Sequence, residues 1–167
     1  MGLLKYCILC TFLFSCGYRP LFSSIKDTVP SEVSTNLALG ESKVQRWPGN
    51  ERLDFAISWN AKPILGEKSS FTIKFWDRYQ NDLFGPYQII EEKLCVFIWM
   101  KMHDGNEHGS SPTVLHERED HYFIDEIYFI MKGQWDLHIR SVENEEHCTS
   151  LKSSPYISEQ IININVI

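Results

Sequence analysis

The segment from residue 99 to residue 112, WMKMHDGNEHGSSP, contains the side chains of this chain that are best suited to bind a soft metal ion. Met100 and Met102 offer thioether sulfur, and His103 and His108 offer imidazole nitrogen. This donor set favours Cu(I), whereas Zn(II) prefers thiolate or carboxylate with imidazole and Ca(II) prefers oxygen. The alternative is a structural segment that binds no metal, because strand methionines more often pack in a core and loop histidines are usually solvated.

The spacing of the methionines places them on one face of a strand. Apolar residues alternate through LCVFIWM before the segment, which predicts a strand over residues 94–102. On that strand the Cα atoms of Met100 and Met102 would lie about 6.8 Å apart, close enough for two flexible side chains to reach one ion. The turn residues at 104–106 should end the strand, so His103 and His108 would lie on loop backbone and can fold back toward the methionines.

A third methionine, Met131, ends another alternating run in the sequence DEIYFIMKGQWDLHI. Residues 132–134 predict a turn, which makes this stretch a hairpin. Met131 should therefore lie at one end of the sheet, either the end that holds Met102 or the opposite one. In the second strand of the hairpin His138 alternates outward with Asp136 and Arg140, which predicts a surface position for His138.

The elements around these residues are predicted to be strands. Leu53, Phe55, Ile57 and Trp59 alternate with small or polar residues, and the same period of two recurs along the chain. We predict strands over residues 53–59, 70–76, 94–102, 113–117, 121–131, 135–142 and 161–166. Turn residues separate them and no stretch has a helical period, so the prediction is all-β: an immunoglobulin-like antiparallel β-sandwich of about seven strands. This fold selects no activity by itself.

The first residues resemble an export signal. In MGLLKYCILCTFLFSC one lysine precedes an apolar run over residues 6–14 that is too short to span a bilayer. The LFSCG stretch resembles a bacterial lipobox, which predicts a lipoprotein signal peptide over residues 1–15 and lipidation of Cys16. An ordinary secretory signal and an uncleaved anchor are the alternatives. Residues 16–45 then form a flexible tether and residues 46–167 the folded domain, held by lipid on the bacterial cell envelope and facing the periplasm or the exterior.

The cysteines agree with export. Once the signal is removed and Cys16 is acylated, Cys95 and Cys148 are left in the domain, and an even pair in an oxidising compartment predicts a disulfide. Two alternatives stay open: a pair of buried free thiols, or one thiolate that ligates the metal.

Charge and motif content argue against two classes of function. The chain has 16 Lys and Arg against 22 Asp and Glu, a net charge of −6 without a clustered basic face, which argues against nucleic-acid binding. The acidic stretch HEREDHYFIDE has the character of a solvated charged rim, and no motif fixes a nucleophile with its base or a phosphate-binding loop. We therefore predict that the protein is not an enzyme.

Three blocks of the sequence, SFTIKFWD, WMKMHDGNEHGSSPTVL and YFIDEIYFIMKGQWDLHI, resemble the YtkA-like family, exported β-sandwich domains related to FixH-type proteins and associated with copper handling. The resemblance covers about residues 60 to 140. The first family pattern, W-M-P-x-M-G-H-G-S-S-P, is matched here by Trp99, Met100, Met102, His108, Gly109, Ser110, Ser111 and Pro112. The second, Y-F-x-M-x-G-x-W-x-L, is matched by Tyr128, Phe129, Met131, Gly133, Trp135 and Leu137. The chain departs from the family at Lys101, where proline is common, and in the extra residues between Met102 and His108.

The resemblance implies a membrane-anchored protein that binds or delivers copper, as Cu(I), and that exchanges it with a copper donor or acceptor protein. The implied ligands are Met100, Met102, His108 and Met131, with His103 as a replacement inside the extra residues. The alternative function is a metal-free, lipid-anchored interaction or envelope assembly module, which would use an exposed sheet edge or loops.

Overall fold

The structure is a computed structural model that describes residues 43–102 and 104–167. The predicted signal peptide, the predicted lipidation site Cys16, the predicted tether up to residue 42 and the candidate ligand His103 lie outside the described residues. All described strands belong to one compact unit. No helix within the described part of the chain is long and apolar enough to cross a membrane.

Within the described residues, nine strands form two antiparallel sheets. In chain order the strands are β1 (Gln45–Arg46), β2 (Leu53–Ala61), β3 (Lys68–Asp77), β4 (Lys93–Lys101), β5 (Glu107–Gly109), β6 (Val114–Glu117), β7 (Tyr122–Tyr128), β8 (Gly133–Val142) and β9 (Ser158–Val166). One sheet has the order β1-β2-β3-β7-β6 and the other the order β5-β4-β8-β9. The prediction of an all-β, immunoglobulin-like β-sandwich is confirmed.

The core lies between the two sheets and is built from the inward positions of each strand. Phe55 and Phe75 face each other across the β2–β3 ladder, and Trp47 packs edge-on against both rings. From the other sheet, Leu137 and Ile139 on β8 are fully buried. This alternation follows from the period of two, because one face of each strand must leave water to form a core.

The predicted strands differ from the observed ones mainly at their ends. β1 and β5 were not predicted, because two or three residues cannot show a period of two. β7 ends at Tyr128 rather than at residue 131, so Met131 lies in the bend before β8 and not on a strand.

Residues 143–157, here called the strap, fold back over the outer face of the second sheet and contain one 3₁₀ turn at Glu145–His147. A disulfide from Cys148 to Cys95 on β4 attaches the strap at one point. The Arg140 guanidinium on β8 attaches it at another, because it donates to the Leu151 carbonyl at 2.5 Å and lies 4.4 Å from the Tyr156 ring centre.

The predicted surface position of His138 is wrong. His138 does point outward, but its side chain is only 13% exposed and Nδ1 lies 2.9 Å from Glu159 Oε1. Arg140 Nε donates to the same oxygen at 2.6 Å. The outer face of this sheet therefore holds a largely buried charge cluster, which is stabilised because each charged group has a close partner.

This cluster predicts a loss of stability in acid. Burial alone raises the pKa of Glu159, but hydrogen bonds from Arg140 and His138 outweigh it and hold the pKa below the ordinary 4.5. Since the folded pKa is the lower one, ionised Glu159 stabilises the fold above about pH 4.5, and this contribution disappears as the pH falls through the folded pKa. The free energy of unfolding, measured by urea titration between about pH 6 and pH 3, should fall more steeply in the natural protein than in a Glu159→Gln variant. Equal slopes would contradict the role assigned to the cluster.

Candidate metal centre

The register of β4 and β5 brings the first two candidate ligands together. Met100 and His108 are direct partners in the ladder, so their side chains leave the same face of the sheet. Met100 points into the sandwich and is 8% exposed, whereas His108 lies on the edge strand and is exposed. A thioether in the core and an imidazole at the surface thus stand beside each other.

Met102 lies just beyond the end of β4 and is partly buried against the core. Its backbone N–H donates to the Asn106 carbonyl at 2.8 Å, which continues the β4–β5 ladder by one pair and closes the hairpin. Within the hairpin loop, the Asp104 carboxylate accepts from the backbone N–H of Asn106 at 3.0 Å. This bond is the main reason why the pKa of Asp104 lies below its ordinary value.

Met131 lies at the same end of the sandwich as Met102, which decides between the two positions left open by the sequence. Trp99 pairs with Asp136, and the same register continued by three residues brings Met102 level with Gly133, two residues after Met131. The Trp135 indole N–H donates to the Met131 carbonyl at 3.0 Å and fixes this bend. Met131 is itself partly buried against the core.

Gly133 is favoured by its backbone conformation and lies close to Met100. Its φ is +125°, and a Cβ added there would lie 2.6 Å from the Met100 Cε. The terminal methyl of Met100 therefore reaches along the sheet toward the bend that holds Met131. The sequence indicated a turn at this glycine, but the contact with Met100 depends on the β4–β8 register and was not predicted.

The core cluster against which Met102 and Met131 pack contains several aromatic rings. Phe129 packs against Trp135 and Trp59, with ring centres 5.5 and 6.4 Å apart. The Trp59 Nε1–H is buried and has no hydrogen-bond partner among the residues that the structure describes. The methionines thus lie between an apolar interior and the surface.

The donor set of this end is thioether with imidazole, which fits a soft ion such as Cu(I). Within residues 43–102 and 104–167, no three His, Cys, Asp or Glu side chains are grouped closely enough to hold a metal ion. The candidate ligands that the described residues place at one end of the sheet are three methionines and one histidine.

Cys95 and Cys148 do not contribute to this end. They form a disulfide with their Cα atoms 5.4 Å apart. Cys95 precedes Met100 by five residues and points to the opposite face of β4, so about 17 Å of strand separates them. A disulfide sulfur is not a thiolate, so the structure does not place a thiolate ligand beside the methionines.

A second feature lies along β4 next to the disulfide. It is a groove of about 530 Å³ between β4, the segment over residues 109–117 and the strap. Phe97 and Trp99 line it together with hydroxyl-bearing residues such as Ser110 and Thr149. Trp99 covers Gly109 so closely that a Cβ there would lie 2.6 Å from the indole ring.

The chain matches no protein-family model, and a search of the curated proteins found no match. The resemblance to the YtkA-like family stays a prediction from the residues quoted above.

Proposed function

We propose that this protein binds Cu(I) at the end of the sandwich where β4, β5 and the bend before β8 meet. The observation that carries the proposal is the register, because it sets His108 opposite Met100 and brings Met102 and Met131 to the same end. The resemblance to the YtkA-like family supports the same proposal independently of the register.

Met102 and Met131 would hold the ion together with His108, and Met100 would join them from the core side. Thioether sulfur is a soft, uncharged donor that prefers Cu(I), and the flexible methionine side chain adapts to an ion that enters and leaves. The exposure of His108 gives such a site one ligand that a donor or acceptor protein can reach. We therefore propose delivery of copper at a lipid-anchored position on the bacterial cell envelope.

The test is a competitive Cu(I) titration of the chain from Gly17 onward, which contains every described strand. The natural chain should bind one ion, and Met102→Ala and His108→Ala should each weaken binding at least about tenfold, which is about 1.4 kcal/mol. His121→Ala is the matched control, because His121 lies between β6 and β7 and should leave binding unchanged. Absence of binding above background would contradict the copper proposal. Equal affinity in the natural chain and its three variants would contradict it as well.

The groove beside the disulfide favours a second candidate function, a metal-free interaction module. Its volume falls within the range of small ligand sites, and partly exposed aromatic side chains with hydroxyl groups are typical of contact surfaces. The two candidates differ in the part of β4 that they use, since the groove lies along residues 93–99 and the methionines lie beyond them.

A further inference from the structure

The edges of the two sheets are unequal. β1, β5 and β6 end their sheets with two, three and four residues, whereas β9 ends the second sheet with nine. An edge strand presents unpaired N–H and C=O groups, and soluble proteins protect such edges by keeping them short or by placing Lys, Pro or bulges on them. Three edges of this sandwich are protected by their short length, and β9 is not.

The composition of β9 offers none of the other protections. The sequence SEQIININV contains no Lys, Arg, Pro or Gly. Its one charge, Glu159, is bound by Arg140 and His138 on the adjacent strand. Residues 160–167 form an uncharged run rich in isoleucine, which is the composition of segments that pair with copies of themselves.

The register shows which backbone groups of β9 point outward. The Ser110 N–H donates to the Ile98 carbonyl. The backbone N–H and C=O groups of even-numbered residues of β4 therefore point toward β5, and those of odd-numbered residues point toward β8. The same alternation can be followed through the β4–β8 and β8–β9 pairings. It shows that the backbone N–H and C=O groups of the odd-numbered residues of β9 point away from β8. The N–H and C=O groups of Ile161 and Asn163 therefore lie along the outer edge.

Exposed apolar side chains accompany this edge. Ile161 on β9 is 45% exposed, and Ile157 immediately before the strand is 57% exposed. Tyr156 and Ile167, on either side of β9, are exposed as well. Within the described residues, the edge therefore combines outward N–H and C=O groups with apolar surface. The Ile161 carbonyl accepts from the Gln160 side-chain amide at 3.1 Å, and this exposed amide would have to turn away for another strand to pair there.

We propose that β9 pairs with β9 of a second copy of this chain, antiparallel and about a two-fold axis, so that two four-stranded sheets join into one of eight strands. A two-fold axis near Ile162 sets Ile161 opposite Asn163 of the second copy and Glu159 opposite Asn165. No two like charges meet, so the edge is electrostatically compatible with itself. This interface involves neither the methionines nor the groove, and it is independent of the proposed copper function.

Sedimentation equilibrium of the metal-free chain from Gly17 onward tests the proposal over a wide range of concentration. The natural chain should show twice the monomer mass, and Ile161→Lys should shift it to the monomer, because an edge lysine repels its symmetry mate and blocks pairing. Ile130→Lys is the matched control, since Ile130 is an exposed isoleucine in the bend before β8, and this variant should stay dimeric. Circular dichroism establishes that both variants are folded.

Amide hydrogen exchange gives a second measurement that needs no variant. In the dimer the Ile161 and Asn163 amides should exchange slowly and become fast on dilution to the monomer. A natural chain that is monomeric throughout, or a dimer that Ile161→Lys leaves intact, would overturn the proposal. So would fast exchange at Ile161 and Asn163 in a dimer, because that dimer would use another surface.

Discussion

A chain from Gly17 onward in which Cys95 and Cys148 are both replaced by alanine should lose about 4 kcal/mol of its free energy of unfolding, which follows from closing a loop between residues 53 positions apart. The bond limits the conformations open to the unfolded chain, and its removal restores them. In the folded state it also attaches the strap to β4, so the loss should extend to the order of the strap.

Urea unfolding at neutral pH measures this difference. The natural chain treated with a reducing agent is the control, and it should unfold at a denaturant concentration close to that of the double variant. These two cysteines are the only ones from Gly17 onward, so no other thiol can interfere. If the double variant and the oxidised natural chain unfold together, the cysteines are not bonded in the folded protein.

Gly133→Ala should have the second large effect, and it acts on stability and on the proposed metal centre together. A residue with a side chain is strained by about 1–3 kcal/mol in an unfavourable backbone conformation such as the φ of +125° found here. The new Cβ would also lie 2.6 Å from the Met100 Cε, so the end of the methionine must move. We expect weaker Cu(I) binding as well as a lower free energy of unfolding.

Gly66→Ala separates the two causes. Gly66 also has a positive φ, +75°, but a Cβ there would meet nothing within 4 Å. This variant should lose stability by backbone strain alone and keep the Cu(I) affinity of the natural chain. Equal Cu(I) affinity in the Gly133→Ala chain would mean that Met100 does not contribute to the metal centre.

The fold was predictable because the inward side chains of β2 and β3 recur with a period of two that the sequence displays directly. The place of Met131 was not predictable, because it depends on the register between β4 and β8. Hydrophobic alternation shows which face of a strand is buried, but it does not show which residue of another strand lies opposite.

The low exposure of His138 was missed for a related reason. Its alternation correctly predicted an outward direction, and outward positions of a two-layer sandwich are usually solvated. The contact of His138 with Glu159 depends on the β8–β9 pairing, and the strap attaches to this face through Arg140, which meets the Leu151 carbonyl and the Tyr156 ring. The sequence stretch over residues 143–157 has no period that would indicate such a covering segment.

The position of the disulfide also determines how this domain would respond to mechanical force. Cys95 and Cys148 enclose all of β5, β6, β7 and β8, and the enclosed chain has a contour length of about 180 Å at about 3.4 Å per residue. A pull on the two ends of the chain passes covalently through the disulfide, so it cannot stretch out residues 96–147, although it acts on these strands through their hydrogen bonds to β3 and β9. Only the parts outside the loop, which hold β1 to β3, the first residues of β4, and β9, can be drawn out, so the extension of the domain is limited while the bond is intact.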